Sequence, residues 1–379
     1  MANDPLPITP AVLTWARERA ALPLQDARKR FPKIADWESG VACPTYPQLE
    51  ALSSALRLPT AVFFFPAPPH VPRIRQSFRT LPSTYFDGIP GEIRTLLRKA
   101  TVFQLNLAEL NDGSSGAKRQ AVRDLSFSQP LRVEAAAEDT REYLGVSLDQ
   151  QIAWSDPAAA LESWRATLES VGVAVFKDAF RTDDLSGFCL YDETFPLIYV
   201  NNSSALTRQI FTLFHELAHL LFHTSGVDRL PEQDVEDLPP ASRSIEIACN
   251  QFAAELLLPT SRFDLELGRL GADEESANVI SRKYHVSREV VFRRFLDRGL
   301  ISQSAYQAAA SRWTRQTRGT GTSGNYYWTK ISYLGKTYIQ TAFSRYYQNR
   351  INDEQLADYV DVKLTNLPEL EHYFARKMT

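Results

Sequence analysis

One segment near the middle of the chain restricts the fold more than any other: Phe211-Thr-Leu-Phe-His215-Glu216-Leu-Ala-His219-Leu-Leu-Phe-His223. Leu213, Leu217, Leu220 and Leu221 recur at helical spacing, and the flanks are apolar rather than solvated. The segment therefore predicts a buried helix over residues 208–223. Two histidines four apart lie on one face of such a helix, so both imidazoles can reach one metal ion. Glu216 follows the first histidine directly, beside the pair but not part of it, where a base for metal-activated water belongs. The chain has six histidines, and His215, His219 and His223 are three of them. The competing reading is a plain helix with two satisfied histidines.

A catalytic zinc takes three protein ligands and a water. Glu246 is the best third ligand. It lies at the start of the next helix, preceded by Ser244, and two antiparallel helices joined by a loop would bring it to the metal. The alternative makes it a first-turn acid favoured by the helix dipole. His223 continues the series one turn on, but a straight helix points it away from the metal. The longer spacing with a glycine and a third histidine is absent, so His223 fits better as an outer or lid residue. Asp228 and Glu236 in the following acidic loop are weaker candidates and read as solvated charges. Zinc is the expected metal, but ligand type alone does not fix it, so manganese and iron stay open. Glu216 would take the proton of the metal's water and deliver it to the leaving amine. Arg208 and Tyr199 are candidates for a second oxyanion donor. The run Leu197–Val200 is either a strand that pairs with an extended substrate or a plain core strand.

The chain has 379 residues, a length that suggests two to three domains, with an ordinary globular balance of 44% hydrophobic and 23% charged residues. A net charge of −3 gives no global attraction to nucleic acid. Cys43, Cys189 and Cys249 are scattered, without the spacing of a disulfide framework or a cysteine zinc site. No charged start leads into an apolar run, and no run is long enough to span a bilayer, so a cytoplasmic protein without membrane partners is expected.

Short helices are expected over 10–58, and the prolines from Pro66 to Pro72 mark a boundary. A basic connector holds Arg73, Arg75, Arg79, Arg94, Arg98 and Lys99. Val173–Phe176, Gly187–Tyr191 and Leu197–Val200 predict a small sheet. Helices follow over Ser244–Leu258, Glu275–Tyr284 and Arg288–Arg298. The expected class is α+β, multidomain and predominantly helical. The expected domains are a helical module at 1–65, a linker and helical connector at 66–128, and a zincin-like core with its small sheet at 129–265. A helix-turn-helix segment at 266–312 and a C-terminal basic and aromatic module at 313–379 complete the chain.

The pattern Arg208-x-x-x-Thr212-x-x-His215-Glu216-x-x-His219, followed by Glu246-x-x-x-Asn250-x-Phe252-Ala253-Ala254-x-Leu256-Leu257-x-Pro259, resembles the ImmA/IrrE family of regulatory metallopeptidases. The resemblance covers roughly residues 130–300. It implies Glu246 as third ligand, zinc as metal, and a protein substrate of the repressor or antitoxin kind in a stress, phage or mobile-element response. The N-terminal unit is similar to the Xre/Cro type of helix-turn-helix through Trp37-Glu38-x-Gly40, Pro44-Thr45 and Gln48-Leu49-x-x-Leu52. It departs from that type where Pro32 interrupts the recognition helix, and its basic excess over residues 1–70 is small. DNA binding and a protein-docking role both stay open for it.

From Arg298 to Asn352 there is no acidic residue, while Arg312, Arg315, Arg318, Lys330, Lys336, Arg345 and Arg350 alternate with Trp313, Tyr326, Tyr327, Trp328, Tyr333, Tyr338, Tyr346 and Tyr347. Cations with stacking aromatics suit single-stranded nucleic acid as an activator. The competing reading makes the rings a small core and the charges its solvated face. The leading function is a regulated zinc endopeptidase. The alternatives are a DNA-binding regulator or a toxin–antitoxin interaction protein with a structural or vestigial metal site.

Overall fold

The computed structural model describes residues 5–20, 22–56, 58, 60–68, 91–180, 185–224, 227–229, 240–316 and 324–378. Arg73, Arg75, Arg79, Glu236 and Arg318 lie outside them. The described residues divide into two compact units, one ending at Thr95 and one beginning at Leu96. The protein is predominantly helical with one small sheet.

The first unit is built from α1 (Pro10–Arg19), α2 (Leu24–Arg30), α3 (Ile34–Glu38) and α4 (Tyr46–Leu56), followed by a 3₁₀ turn at Thr60–Phe64. Leu13, Ala16, Ile34, Trp37, Leu49, Leu52 and Phe63 form its core. Arg17 closes it with a fork on Glu38, at 2.6 Å from Nε and 3.2 Å from Nη2. Pro32 acts on its predecessor, as prolines do: Phe31 leaves the helical region at φ −130° and ψ 81°, and α3 spans only Ile34–Glu38.

Helix α5 (Gly91–Leu110) leads into the second unit. There α6 (Ala121–Asp124), α7 (Val133–Leu144), α8 (Leu148–Ala153) and α9 (Pro157–Ser170) precede the sheet. Asp156 starts α9 by accepting bonds from the amides of Ala158 and Ala159, with Pro157 at the first position, where its missing N–H costs nothing. Strands β1 (Ala174–Asp178), β2 (Leu185–Leu190), β3 (Leu197–Asn201) and β4 (Val227–Arg229) stand in the order β1-β3-β2-β4. β1 and β3 are parallel, and the other pairs are antiparallel. The three strands expected from the sequence are present. The fourth, β4, comes from the segment read as an acidic loop, which is too short and too polar to carry a strand pattern.

Every residue of β2 and β3 is buried, so both faces of the sheet are covered. On one face lies α10 (Leu206–Leu221), the predicted helix, buried at every position from Gln209 to Leu221. Ile198 and Val200 of β3 join its core. The other face carries an aromatic layer. Phe103 of α5 stacks on Phe176 at 4.7 Å, Phe188 stacks on Tyr199 at 5.0 Å, and Tyr338 meets Phe176 edge-on at 5.1 Å.

After α10 come α11 (Pro240–Leu257), α12 (Thr260–Leu270), α13 (Glu274–Tyr284), α14 (Arg288–Asp297) and α15 (Gln303–Gln316). His285, in the left-handed region at φ 55°, turns α13 into α14. The arginines of α14, and Arg298 just past its end, are engaged within the protein. Arg294 pairs with Glu255 at 3.1 Å and Arg293 with Asp297 at 2.9 Å, Arg298 pairs with Asp264, and Arg288 lies over Trp313 at 4.9 Å.

Helices α16 (Tyr326–Leu334), α17 (Lys336–Tyr347), α18 (Asp353–Tyr359) and α19 (Leu367–Met378) end the chain. Ile331, Leu334, Tyr338, Ile339 and Phe343 are buried. Buried Arg165 of α9 ties this group to the sheet, donating to the carbonyls of Val175, Ser332 and Tyr333. Acidic partners for the basic stretch come from outside it. Lys330 pairs with Asp361 at 2.6 Å, Arg345 and Arg350 pair with Asp112, and Tyr347 donates to Glu371.

Candidate metal centre

Helices α10 and α11 lie side by side. His215 and His219 project from one face of α10, and Glu246 faces them from α11. The two imidazole Nε2 atoms stand 3.2 Å apart, and the carboxylate oxygens of Glu246 lie 3.4 Å from His215 and 3.3 Å from His219. The three donor atoms lie within 4.8 Å of one another, a group that can hold a metal ion. All three side chains are buried.

The donor chemistry fits a divalent ion. His215 uses its other nitrogen, Nδ1, to donate to Oδ1 of Asn250 at 3.0 Å. That bond fixes the tautomer and turns the lone pair of Nε2 toward Glu246 and His219, as outer partners of metal-binding histidines do. Two facing imidazole nitrogens beside a carboxylate form an electron-rich set that a cation satisfies. Burial alone pushes the carboxyl pKa of Glu246 upward, but the neighbouring His219 and His215 more than reverse this, so it stays well below the usual carboxylate range. Glu216, next to His215, is fully buried.

The backbone beneath α10 is unusually close to it. A Cβ on Gly187 of β2 would lie 2.5 Å from Thr212 Cγ2 and 2.8 Å from the carbonyl oxygen of Tyr199. Only glycine lets β2 and α10 approach this closely.

Other sequence candidates fall elsewhere. Tyr199 is on the opposite sheet face from α10, fully buried, with its hydroxyl 3.4 Å from Asp178. It is not an oxyanion donor here, because the period of two along β3 points it away from the helix. β3 lies between β1 and β2, so both its edges are already paired and it does not receive a substrate strand. His223 is beyond the end of α10, at φ 56° and 5.2 Å from the ring of Tyr191. The helix stops before the third turn could bring it round, so it is not in the donor group. Asp228 belongs to β4 rather than to a loop. Arg208 lies on the same stripe of α10 as His215, with its guanidinium 5.4 Å from the ring of Phe211 and Nε donating to Ser186 Oγ at 2.9 Å. Asn250 carries no role in the sequence reading beyond its place in the pattern after Glu246. Its signal was the four-residue offset from Glu246, which puts both on one face of α11.

No helix among the described residues is long and apolar enough to cross a membrane. A search among curated proteins gives no match to the chain. Residues 168–296 match a peptidase family, that of the IrrE N-terminal-like domain, over a span that holds the sheet, both helices of the centre and all three donor residues.

Proposed function

We propose that this protein is a zinc-dependent endopeptidase with a zincin-like core, in which His215, His219 and Glu246 hold the metal and Glu216 is the catalytic base. One observation carries the reading: two imidazoles and a carboxylate from adjacent helices converge within 4.8 Å, one of them oriented by Asn250. The match of residues 168–296 to a peptidase family supports it. Zinc suits two histidines and a glutamate, with manganese or iron as the other ions such a set accepts.

The metal, when bound, supplies Lewis acidity, bringing the pKa of a water to about 7 and polarising a carbonyl. The chain's own residues do the rest. Glu216 accepts the water's proton in a buried site, where its charge is screened least, and passes it to the departing amine nitrogen. Asn250 keeps His215 from rotating. Among the described residues β4 is the last strand of the sheet, and we place an extended peptide along it, its backbone bonding as an added strand. The substrate we propose is a regulatory protein of the repressor or antitoxin kind, as the resemblance to the ImmA/IrrE family implies.

The test is incubation of the zinc-loaded protein with the helix-turn-helix repressor encoded nearest to it, with fragments identified by mass spectrometry. Wild type should release discrete fragments, and Glu216→Gln should release none. Identical fragments from both proteins, or cleavage that persists without metal, would refute the enzyme reading. Unchanged biological activity in Glu216→Gln would favour a DNA-binding regulator instead.

A further inference from the structure

We propose that the outer face of α12 and α13 is a docking surface for an acidic amphipathic helix of a partner protein. Arg262, Leu265, Glu266 and Arg269 recur at helical spacing and so share one face of α12. Arg262, Leu265 and Arg269 are exposed, Leu265 to 54%. Among the described residues neither arginine side chain has an ion pair or a hydrogen bond. This sets them apart from the arginines of α14, which are taken up within the protein.

The short link Gly271–Asp273 turns the chain so that α13 returns along α12. Near the turn, Ser276 Oγ donates to the Leu270 carbonyl at 3.0 Å, and further on Lys283 and the Tyr284 hydroxyl reach Glu266 at 2.6 and 3.0 Å. Glu266 is buried between the two helices. Burial pushes its carboxyl pKa up, but the bonds from Lys283 and Tyr284 and the charges of Lys283 and Arg269 outweigh this. Burial and Glu266 push the Tyr284 hydroxyl up to about 12, against the pull of Arg262 and Arg269. Both arginines therefore stand around one acid that Lys283 and Tyr284 already occupy. On α13, Val279 is exposed to 42%, one turn before Lys283 and before Arg282, which is exposed and has no ion pair among the described residues.

The charge balance identifies the chemistry of the partner. Arg262, Arg269, Arg282 and Lys283 stand against Glu266, while Glu275 marks an acidic edge at the start of α13. Leu265 and Val279 interrupt the cations with apolar surface. A nucleic-acid backbone is held by an unbroken run of cations and finds no use for an exposed leucine and valine. An amphipathic helix with acidic flanks uses both, its apolar side chains on Leu265 and Val279 and its carboxylates on Arg262 and Arg269. Arg262 and Arg269 lie about 10 Å apart along the axis, two turns, so carboxylates seven residues apart on a partner helix match them.

The probe is a fluorescent alanine-based helical peptide with leucines along one face and two glutamates seven residues apart beside them, titrated with the full chain and read by anisotropy. Its control has glutamines in place of the glutamates. At low salt the glutamate peptide should bind about tenfold more tightly than the control, the size of two exposed ion pairs. Replacing both cations, Arg262→Gln with Arg269→Gln, should bring the two peptides within about twofold of each other, and Leu265→Ser should weaken both alike. All three side chains are exposed, so the melting temperature of each variant should match wild type. Equal affinity of the two peptides in wild type, or no binding of either, would overturn the proposal. So would a preference that survives in the double variant, or tighter binding of a labelled oligothymidylate than of the glutamate peptide. No residue of the metal centre takes part, so the outcome is independent of the peptidase reading.

Discussion

At the scale of single residues, the centre separates holding the metal from using it. His219→Ala removes one of three donors, and the protein should lose its metal. Glu216→Gln keeps all three and should bind metal while turnover falls by a factor of at least about 100, the lower range for removing a general base. Asn250 acts through His215. Asn250→Ala should weaken metal affinity about 10- to 100-fold, read by competition with a chelator, without changing the ligands themselves. Glu246 also makes a pH prediction. Its carboxyl is held below the ordinary range in the folded protein, so its contribution to stability is present above about pH 4.5 and lost as the pH falls below that. The melting temperature of the metal-free protein should therefore drop more steeply between pH 5 and 3 in wild type than in Glu246→Gln. Parallel curves would contradict this.

At the scale of elements, the centre depends on how closely α10 sits on β2. Gly187→Ala puts a Cβ against Thr212 and the Tyr199 carbonyl. It should cost about 1–3 kcal/mol, read as a lower denaturation midpoint, because backbone oxygen on one side cannot yield. An unchanged midpoint would mean that the approach is looser than the geometry requires.

What was readable in the sequence follows the same division. The helix of His215 and His219 was plain because apolar spacing and ligand spacing coincide in it. Glu246 reads as a helix-start acid in the sequence, but α11 begins earlier, at Pro240, so it sits in the second turn, where α11 brings it to the histidines. Strand order was not readable. Leu197–Val200 looks the same as an edge or a central strand, and only pairing with both β1 and β2 makes it interior. Tyr199, a candidate oxyanion donor, falls on the far face because a strand's alternation tells which residues share a face but not which face meets the helix. β4 was missed because so short a strand carries no periodicity.

At the scale of the whole molecule, the sheet is a platform between two layers, and the chain's last helices belong to the layer opposite the metal. Tyr338 of α17 is buried there, donating to the Tyr359 carbonyl at 3.0 Å and accepting from Asn106 at 3.2 Å. Tyr338→Ala should cost about 3 kcal/mol of stability while leaving metal content unchanged, since it acts on the far face of the sheet. Loss of metal without loss of stability would contradict that division. The basic, aromatic tail was legible as a composition but not as an arrangement. Its cations find acids that precede and follow it in the chain, Asp112 before and Asp361 after, which no reading of the tail alone could show.

The most direct test of the central claim is metal stoichiometry, measured by plasma mass spectrometry after zinc loading and desalting. Wild type and Glu216→Gln should each retain about one ion per chain, and His219→Ala and Glu246→Gln should retain little, as expected where each ligand is needed to complete the site. A full ion in His219→Ala, or none in wild type, would contradict the assignment of His215, His219 and Glu246 as the metal centre.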